Sequence, residues 1–582
     1  MYPVKTKIIC TLGPATDDEH VITKLLTEGL NVARLNFSHG THEDHLMRLN
    51  AFRDACAKTG VCAAVLLDTK GPEIRTGKFK DGSVELKTGQ EYCFTSREVL
   101  GDESICSISY ANLCNDIGIG QQLMVDDGLV ELRVQNIADG DLHCVVINGG
   151  AIGTHKSINV PNAQIKLPAL TDKDLDDLRF AVDHEFDFIA MSFVREADDV
   201  LKARKALEKL GGSGINIIAK IENRQGVLNS EDIIRVSDGI MVARGDLGVE
   251  IPLEEIPIVQ KQLIKQCITS GKPVITATQM LDSMIRNPRP TRAEVCDVAN
   301  AVYDGTSCLM LSGETAVGKY PVEALHMMVQ TARQTEESIH YWRRFENWRT
   351  GFAPTIANAI SHSTCMAAFN LTAKAILTVT KSGKTARLIS RFRPESPIIA
   401  ATPSLRTRRQ LCMSWGVMPF IVDEVRSTDD LFDVAVETAL KSGLVLPGEI
   451  VVITAGVPVG YSGTTNIVKV QMAGNVIASG TGVCGEEASG ELCVAHTFSE
   501  VKELFNDGDI LVVKQTSNEY MPYMRRAVAL VVEEDDPHGH AATVGMALDI
   551  PVIIGVAGAT GTLPNGSIAT VDAVKGLVFQ KL

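Results

Sequence analysis

The chain has 582 residues, 45% of them apolar and 5% aromatic, which is too long for one hydrophobic core and typical of a globular protein with three or four domains. Its formal net charge of −15, from 56 basic and 71 acidic residues, disfavours nucleic acid or an anionic membrane as the main partner but leaves an anionic small substrate open. Because the sequence has no apolar run near the ~18 residues of a membrane span, no secretory signal and no C-x-x-C pair among its 14 cysteines, we expect a cytoplasmic protein with reduced thiols.

Eight short β-rich apolar runs recur through the first 340 or so residues, with amphipathic helical patterns between most of them. Alternating strands and helices indicate a parallel sheet, and eight repeats indicate a closed (β/α)8 barrel. We therefore predict a TIM barrel formed by residues 1–70 and 168–342. The eight predicted strands are KTKIICTLG, NVARLNFS, AAVLLDTK, FDFIAMSF, INIIAKIEN, GIMVARGD, PVITATQM and SCLMLSGE.

Three further segments interrupt or follow the predicted barrel. Residues 71–167 contain β-like runs with turn residues and no long helical pattern, which predicts a separate β domain inserted after the third strand. Residues 343–474 form a second predicted α/β domain, and residues 475–582 form a last one. The glycine-rich stretch 478–490 contains a G-x-G-x-x-G match from Gly480 to Gly485, but without a clear strand-to-helix context we interpret it as a linker.

Most of the predicted barrel strands end in polar residues, on the face where barrel active sites lie. A single such residue is most often a structural salt bridge or a solvated rim, but unpaired charges inside a barrel cost several kcal/mol each, so a ring of them indicates ligands. Side chains two residues apart in a strand share a face, so Lys220 and Glu222 point together. These polar strand-end residues are Arg34, Asn36, Ser38, Asp68, Thr69, Lys70, Lys220, Glu222, Arg244, Asp246, Thr278, Ser312 and Glu314.

The types of these residues restrict which metal, substrate and reaction the site would suit. Glu222 and Asp246 are hard oxygen ligands that suit Mg²⁺ or Mn²⁺, and the lack of His and Cys among the strand-end residues disfavours zinc. Arg34 and Lys220 are cations that suit a phosphorylated, carboxylated substrate. A metal and cations around one phosphoryl group are typical of phosphoryl transfer, where charge stabilisation does most of the work. The residues alone therefore predict a metal-dependent phosphotransferase or an enolate-forming barrel enzyme.

Six long motifs, in order along the chain, resemble those of the pyruvate kinase family, and the resemblance extends through about residue 474. It implies transfer of a phosphoryl group from phosphoenolpyruvate to ADP, giving pyruvate and ATP in the last step of glycolysis, with Mg²⁺ (or Mn²⁺) and K⁺ as cofactors and a homotetramer as the assembly. The implied fold is a TIM barrel with an inserted β-barrel lid domain and a C-terminal α/β regulatory domain. The motifs are NVARLNFSHG, LLDTKGPEIRTG, IIAKIEN, VARGDLGVEIP, ITATQMLDSM and MLSGETAVGKYP.

The resemblance also implies a role for each residue at the barrel mouth. Lys220 would stabilise the phosphoryl group in transfer and the enolate it leaves, and Thr278 would position the water chain that protonates the enolate. Glu73 matches members that need K⁺, since independent members carry lysine there. The lid would close over ADP and exclude water. The implied sets are Arg34, Gly245, Asp246 and Thr278 for phosphoenolpyruvate; Glu222 and Asp246 for the divalent metal; Asn36, Ser38, Asp68 and Thr69 for K⁺; and Arg75, Lys156 and the Asn36–His39 stretch for the nucleotide.

A second ligand site is predicted in ILTVTKSGKTARLISRF, which has the pattern of strand, loop and helix. Its SGKT resembles the end of a P-loop, but Thr378 stands where the first glycine belongs, so we do not expect a true P-loop. Loop amides at a helix N-terminus can still bind phosphate, and the alternative is an ordinary helix cap. In the family this loop binds a phosphorylated effector, with PVGYSGTTN (458–466) resembling the facing loop. The predicted effector residues are Thr380, Lys381, Ser382, Gly383, Lys384 and Thr385.

The chain departs from the family pattern at a few positions. Cys296 replaces a small polar residue or alanine, and Ser307-Cys308 replaces a common Asp-Ala pair, which puts only local packing in doubt. The tail after Asn475 resembles the phosphohistidine domain of phosphoenolpyruvate-utilising enzymes, which some bacterial members carry. His540 falls at the phosphohistidine position, but His538-Gly539 replaces the family's Thr-Ser pair. Because those hydroxyls are missing, we predict a structural or assembly role for the tail.

Two other functions are weighed against the kinase. The first is a dikinase or carbon–carbon lyase that uses the same barrel chemistry with a mobile phosphohistidine tail, which a phosphorylated His540 would favour. The second is a metabolite-sensing scaffold without turnover. The set of Lys220, Glu222 and Asp246, together with the long insertion, favours the kinase over both.

Overall fold

The computed structural model describes residues 4–163, 165–347, 353–425, 427–457, 465–474 and 476–580. The chain divides into two compact units. The first comprises Met1–His362 and Thr380–Asp423, and the second comprises Ser363–Val379 and Glu424–Leu582.

Eight parallel strands close a barrel in the first unit, as predicted. Each strand pairs with the next along the chain, and the eighth pairs with the first, where Ile8 lies opposite Leu309. Alternate residues face opposite sides of a strand, so Ile9 and Val32 pack inside the barrel while Ala33 and Leu35 pack under the helices. The strands are β1 (Lys7–Thr11), β2 (Val32–Asn36), β3 (Ala64–Asp68), β4 (Phe188–Met191), β5 (Asn216–Ile221), β6 (Gly239–Ala243), β7 (Val274–Ala277) and β8 (Cys308–Leu311).

Helices connect the barrel strands, and several begin at a Thr whose hydroxyl accepts an amide hydrogen bond at the helix start. Thr41, Thr171 and Thr291 each do this with a carboxylate three residues later that bonds back. The helices of this part are Glu19–Glu28, His42–Thr59, Asp172–Asp183, Ala197–Lys209, Arg224–Leu228, Ser230–Val236, Arg244–Glu250, Ile256–Ser270, Arg292–Asp304, Gly313–Ala316, Pro321–Glu337 and Tyr341–Asn347, with 3₁₀ turns at Pro14–Thr16, Leu253–Glu255 and Asp282–Ile285.

The insertion after β3 is a β domain with its own apolar core, in agreement with the prediction. A seven-stranded sheet and a two-stranded ribbon are joined by loops and one short helix, Leu113–Asp116. The buried carboxylate of Asp174 accepts hydrogen bonds from the amides of Gly71 (3.0 Å) and Thr171 (2.8 Å), so it ties both ends of the insertion to one barrel helix. The strands are Ile74–Arg75, Ser83–Leu86, Glu91–Thr95, Ile105–Ser107, Gln122–Val125, Val130–Ala138, Asp141–Asn148, Gly150–Gly153 and Ser157–Asn159.

Residues 380–423 close the end of the barrel where the strands begin. Lys7 Nζ donates to the carbonyl of Val417 (2.7 Å), and Arg409 pairs with buried Asp187 (2.8 Å). Ser307 Oγ, at one departure from the family pattern, accepts from Arg393 at 3.0 Å and so joins these contacts. The elements of this segment are helices Lys384–Ser390 and Leu405–Leu411 and the parallel strands Ile398–Thr402 and Val417–Ile421.

The second unit contains two groups of strands. The first group is Ala375–Val379, Ile450–Gly456 and Thr465–Met472, with helices Ile356–Asn370, which starts in the first unit, and Thr428–Lys441. The second group is an eight-stranded sheet. Its strands are Val476–Ser479, Thr481–Cys484, Glu487–Val494, Ile510–Val513, Ala529–Val532, Val552–Ile554, Ile568–Asp572 and Leu577–Gln580, with helices Phe498–Leu504, Met521–Met524, His540–Leu548 and Ala559–Thr562 and a 3₁₀ turn at Asn518–Tyr520.

The prediction that the glycine-rich stretch 478–490 is a linker is wrong. It lies within strands of the eight-stranded sheet, and its glycines allow close backbone contacts. A Cβ placed on Gly482 would lie 1.6 Å from the carbonyl oxygen of Ala573, which only glycine tolerates.

Among the described residues, none of the helices is both long and apolar enough for a membrane span.

Candidate active site

Several of the polar strand-end residues meet at the mouth of the barrel around one buried carboxylate, Asp68. Its two oxygens accept from Arg34 Nε (2.7 Å) and Lys220 Nζ (3.0 Å). Lys220 also lies 2.9 Å from Glu222 Oε1 and donates to Ser192 Oγ at 2.8 Å. Arg34, Asp68, Lys220 and Glu222 are all at least nine-tenths buried. Strands β2, β3 and β5 therefore bring two cations and two anions into one desolvated cluster.

The charges in this cluster fix one another's ionisation. Burial alone would lower the pKa of Lys220, but the carboxylates of Asp68, Glu222 and Asp246 outweigh it and hold that pKa above its usual value. Burial alone would raise the pKa of Asp68, but Lys220 and Arg34 hold it below its usual value. Burial raises the pKa of Glu222, with Lys220 opposing this and Asp246 adding to it. Lys220 is therefore a permanent cation in this site.

Glu222 and Asp246 are the carboxylates that could hold a divalent metal. Glu222 follows β5, and its Oε2 accepts from the amide of Phe193 at 2.6 Å, which fixes the direction of the carboxylate. Asp246 lies in the helix that follows β6, and its charge acts on both Lys220 and Glu222. Two hard oxygen donors beside a cleft match Mg²⁺ or Mn²⁺, which take one or two carboxylates and complete their shell with water and substrate oxygens.

Thr278 lies in a strained turn immediately after β7. It has φ 67° and the next residue, Gln279, has φ 53°, a left-handed conformation that is rare for residues other than glycine. Its hydroxyl accepts from the amide of Gly245 at 2.8 Å and donates to the carbonyl of Ala277 at 2.6 Å. Arg244 donates to the Thr278 carbonyl at 2.9 Å. These contacts hold Thr278 next to the start of the helix that carries Asp246.

The residues predicted to bind K⁺ come together on β2 and β3. Asn36 and Asp68 are paired in register at the ends of these strands, and Asn36 Oδ1 accepts from the amide of Ser38 at 3.1 Å. Thr69 Oγ1 accepts from the amide of Ser192 at 3.2 Å. The set supplies oxygens from a carboxylate, an amide and two hydroxyls.

A cleft of about 650 Å³ lies between the barrel mouth and the inserted domain. It is lined by three residues predicted to bind the nucleotide, His39, Arg75 and Lys156. Asp246, a candidate metal ligand, lines the same cleft. In the cleft, Arg75 pairs with Glu73 at 2.6 Å and Lys156 pairs with Asp126 at 2.9 Å. These two cations are therefore positioned by carboxylates of the inserted domain.

Sequence reasoning missed two side chains in the cluster. Ser192 is 2% exposed, accepts from Lys220 and donates to the carbonyl of Thr69 at 2.6 Å. Thr11 Oγ1 accepts from Arg34 Nη1 at 2.9 Å. Both lie at strand ends, Thr11 as the last residue of β1 and Ser192 just after β4, so the rule that identified the other residues would have found them.

The loop predicted to bind an effector has the expected strand–loop–helix order, and helix Lys384–Ser390 follows it. Gly383, with φ 76°, precedes the helix, and its amide donates to Thr380 Oγ1 at 3.0 Å. Arg387 donates to the carbonyl of Ser382 at 2.8 Å. This loop belongs to the segment that closes the opposite end of the barrel, so it is separate from the cleft. Most of the facing stretch, 458–464, lies outside the described residues.

The tail places His540 at the start of helix His540–Leu548. The sequence just before His540 lacks the Thr-Ser hydroxyls of the family pattern. A hydroxyl from elsewhere in the chain, that of Thr516, contacts the His540 ring instead. Its Oγ1 lies 2.8 Å from His540 Nδ1, and Asn518 Oδ1 lies 3.2 Å from Nε2. Both ring nitrogens are thus in hydrogen-bond contact.

Comparisons with known proteins agree with this fold. Family models of the pyruvate kinase barrel domain, the pyruvate kinase alpha/beta domain and the PEP-utilising enzyme mobile domain match residues 4–325, 358–471 and 505–576. The chain is 47% identical to a pyruvate kinase of Geobacillus stearothermophilus over 99% of this chain and 98% of that protein, and 46% identical to one of Staphylococcus haemolyticus over 99% of both. A crystal structure of a pyruvate kinase from Cryptosporidium parvum is 40% identical and has a TM-score of 0.77, covering 80% of this chain and 96% of that one. The chain therefore belongs to the pyruvate kinase family.

Proposed function

We propose that this phosphotransferase moves the phosphoryl group of phosphoenolpyruvate to ADP, giving pyruvate and ATP, at the buried cluster around Lys220. The observation that carries the proposal is the position of Lys220 Nζ, which lies about 3 Å from both Asp68 and Glu222. A permanent cation held by carboxylates, beside a large cleft, is suited to a group whose negative charge moves from one oxygen to another during the reaction.

The residues of the mouth take distinct roles in this proposal. Arg34, fixed by Asp68 and Thr11, binds the anionic substrate, and Lys220 balances the charge of the phosphoryl group in transfer and of the enolate. The amide of Gly245 and the side chain of Asp246 complete the substrate site. Thr278 positions the water chain that gives the enolate its proton, and its strained turn fixes that position.

Glu222 and Asp246 fit a divalent metal by donor type and position. Mg²⁺ or Mn²⁺ held by these two carboxylates would supply positive charge that offsets the negative charge of the substrate. Asn36, Ser38, Asp68 and Thr69 are proposed to hold K⁺, with Glu73 as the residue that makes K⁺ necessary. Lid closure over the cleft brings Arg75 and Lys156 to the nucleotide, together with Asn36 and His39 at the barrel mouth.

The proposal also covers the effector loop, the assembly and the domains. The loop from Thr380 to Thr385 is proposed to bind a phosphorylated allosteric effector through its amides and the side chains of Lys381 and Lys384. The protein is proposed to act as a cytoplasmic homotetramer. We keep the four domains as 1–70 with 168–342, 71–167, 343–474 and 475–582, the last with a structural or assembly role.

A coupled assay with phosphoenolpyruvate, ADP, Mg²⁺ and K⁺ tests the activity directly. We expect pyruvate formation that depends on all four components and is lost when Glu222 is changed to Gln. Activity that consumes phosphoenolpyruvate and labels His540 with phosphate would instead favour the dikinase. Tight binding of phosphoenolpyruvate without turnover would favour the metabolite-sensing scaffold.

A further inference from the structure

The outer face of the inserted sheet carries a second cluster of metal-ligand side chains. Cys93 and His143 lie directly opposite each other on the antiparallel strands Glu91–Thr95 and Asp141–Asn148. Asp141, two residues before His143, shares its face. The neighbours Tyr92, Phe94, Leu142 and Cys144 point the other way, into the core of the domain. Strand register thus presents a thiol, an imidazole and a carboxylate at one place.

The three groups are close, and one of them is left without its full set of partners. One ligand atom from each of Cys93, Asp141 and His143 lies within 4.8 Å of the other two. Asp141 is only 7% exposed, and its Oδ1 is buried with no standard hydrogen bond among the described residues. Its other oxygen pairs with Arg97. A buried carboxylate oxygen normally has a partner, and the Cys93 thiol beside this carboxylate is only a weak donor, so a metal ion would be a stronger partner for Asp141.

Access and ligand type restrict what could occupy this position. His143 is exposed and Cys93 is half-buried, so an ion can enter from solvent. Sulfur, nitrogen and oxygen donors in one site favour a late first-row divalent ion, and Mg²⁺ has little affinity for thiolate. Tetrahedral Zn²⁺ takes such ligands at about 2.0–2.3 Å, so its ligand atoms lie about 3.5 Å apart. Side-chain rotations that bring the ligand atoms from within 4.8 Å of one another to about 3.5 Å would reach this geometry.

We propose that Cys93, Asp141 and His143 form a binding site for Zn²⁺ or a similar divalent ion, with water as the fourth ligand. The site shares none of its residues with the lining of the catalytic cleft. Cys114, a nearby cysteine, is engaged elsewhere, because its thiol donates to the carbonyl of Gly140 at 2.9 Å. A bound ion would link two neighbouring strands and so stabilise the inserted domain against unfolding.

The alternative is a small polar patch in which the Cys93 thiol makes a weak hydrogen bond with Asp141 and no ion binds. Cobalt distinguishes the two, because a thiolate bound to Co²⁺ gives a charge-transfer absorption in the near ultraviolet that oxygen ligands do not give. The full-length protein is titrated with Co²⁺ in excess Mg²⁺, which occupies the carboxylates of the catalytic site. We expect about one equivalent to bind with this absorption, and Zn²⁺ to displace it.

Substitution of the proposed ligands tests whether the ion binds at Cys93 and His143. Cys93→Ser is expected to abolish the charge-transfer band, and His143→Ala to weaken cobalt binding at least tenfold, whereas Cys296→Ser, at an exposed cysteine, leaves both unchanged. His143 is exposed, so its variant is expected to fold even if Cys93→Ser does not. Thermal unfolding with and without Zn²⁺ gives a second readout, with a rise in Tm for the wild type only. Cobalt binding without the band, or a band that survives both Cys93→Ser and His143→Ala, would overturn the proposal.

Discussion

Replacing Lys220 by alanine removes the one cation that contacts both Asp68 and Glu222 in the buried cluster. Two unit charges about 3 Å apart interact by about 5.5 kcal/mol at an effective dielectric constant of about 20. A phosphoryl oxygen of the substrate that accepts a hydrogen bond from Lys220 would also lie about 3 Å from Nζ, so the same interaction energy applies to it. Because each 1.36 kcal/mol or so of barrier is tenfold in rate, we expect turnover to fall by about 10³- to 10⁴-fold.

The coupled assay separates this effect from substrate binding. If the charge of Lys220 acts mainly on the transition state, kcat falls while the apparent affinity for phosphoenolpyruvate changes only modestly. Lys220→Ala also leaves Asp68 and Glu222 less compensated, so thermal unfolding is measured alongside. Lys7→Met is the matched control, because Lys7 is equally buried but lies at the other end of the barrel, where it donates to Val417.

Comparing the Lys220 and Lys7 variants separates a catalytic role of Lys220 from an effect on stability. The control variant is expected to lose stability but to keep the turnover of its folded fraction. A Lys220→Ala protein that folds and turns over within tenfold of the wild type would remove Lys220 from the mechanism. Equal losses of turnover in the Lys220 and Lys7 variants would show that the effect is one of stability alone.

The remaining predictions concern the cofactors, the strained turn and the tail. Glu73→Lys should lessen the dependence of turnover on K⁺, with Glu73→Gln as the control for the lost ion pair to Arg75; an unaltered K⁺ titration would count against the assignment. Thr278→Ala should lower kcat by about 10²-fold or more, the range typical of a positioned proton-transfer group, and slow the protonation of the enolate more than phosphoryl transfer, as followed by solvent-proton exchange into pyruvate. A chain ending at Gly474 should keep its activity but unfold at a lower temperature, because Leu577 of the tail packs against Gly448; an inactive but folded product would give the tail a part in catalysis.

The barrel could be predicted because its sequence signal is local and repeated. Each strand is a short apolar run, most of them with a polar end, and the parallel order of β1 to β8 follows from the helices between them. The cluster at the mouth follows from the same geometry, since strand ends of a barrel converge on one point. The sequence therefore predicts that Arg34, Asp68 and Lys220 lie close together.

The features that sequence reasoning missed depend on contacts between distant parts of the chain. The glycines from Gly480 to Gly485 have the composition of a linker, and only the approach of Ala573, almost 100 residues away, shows why they are needed in strands. Thr516 beside His540 is a second case, because a hydroxyl missing from the local motif comes from another loop. The cross-strand pair of Cys93 and His143 likewise requires the register of the sheet.

Asp174 couples the two junctions between the inserted domain and the barrel. One carboxylate anchors both the departing chain at Gly71 and the returning chain at Thr171, and the same side chain belongs to a helix of the host barrel. Because one carboxylate bonds the chain at both junctions, a disturbance of Asp174 would reach the first and the last residues of the insertion at the same time.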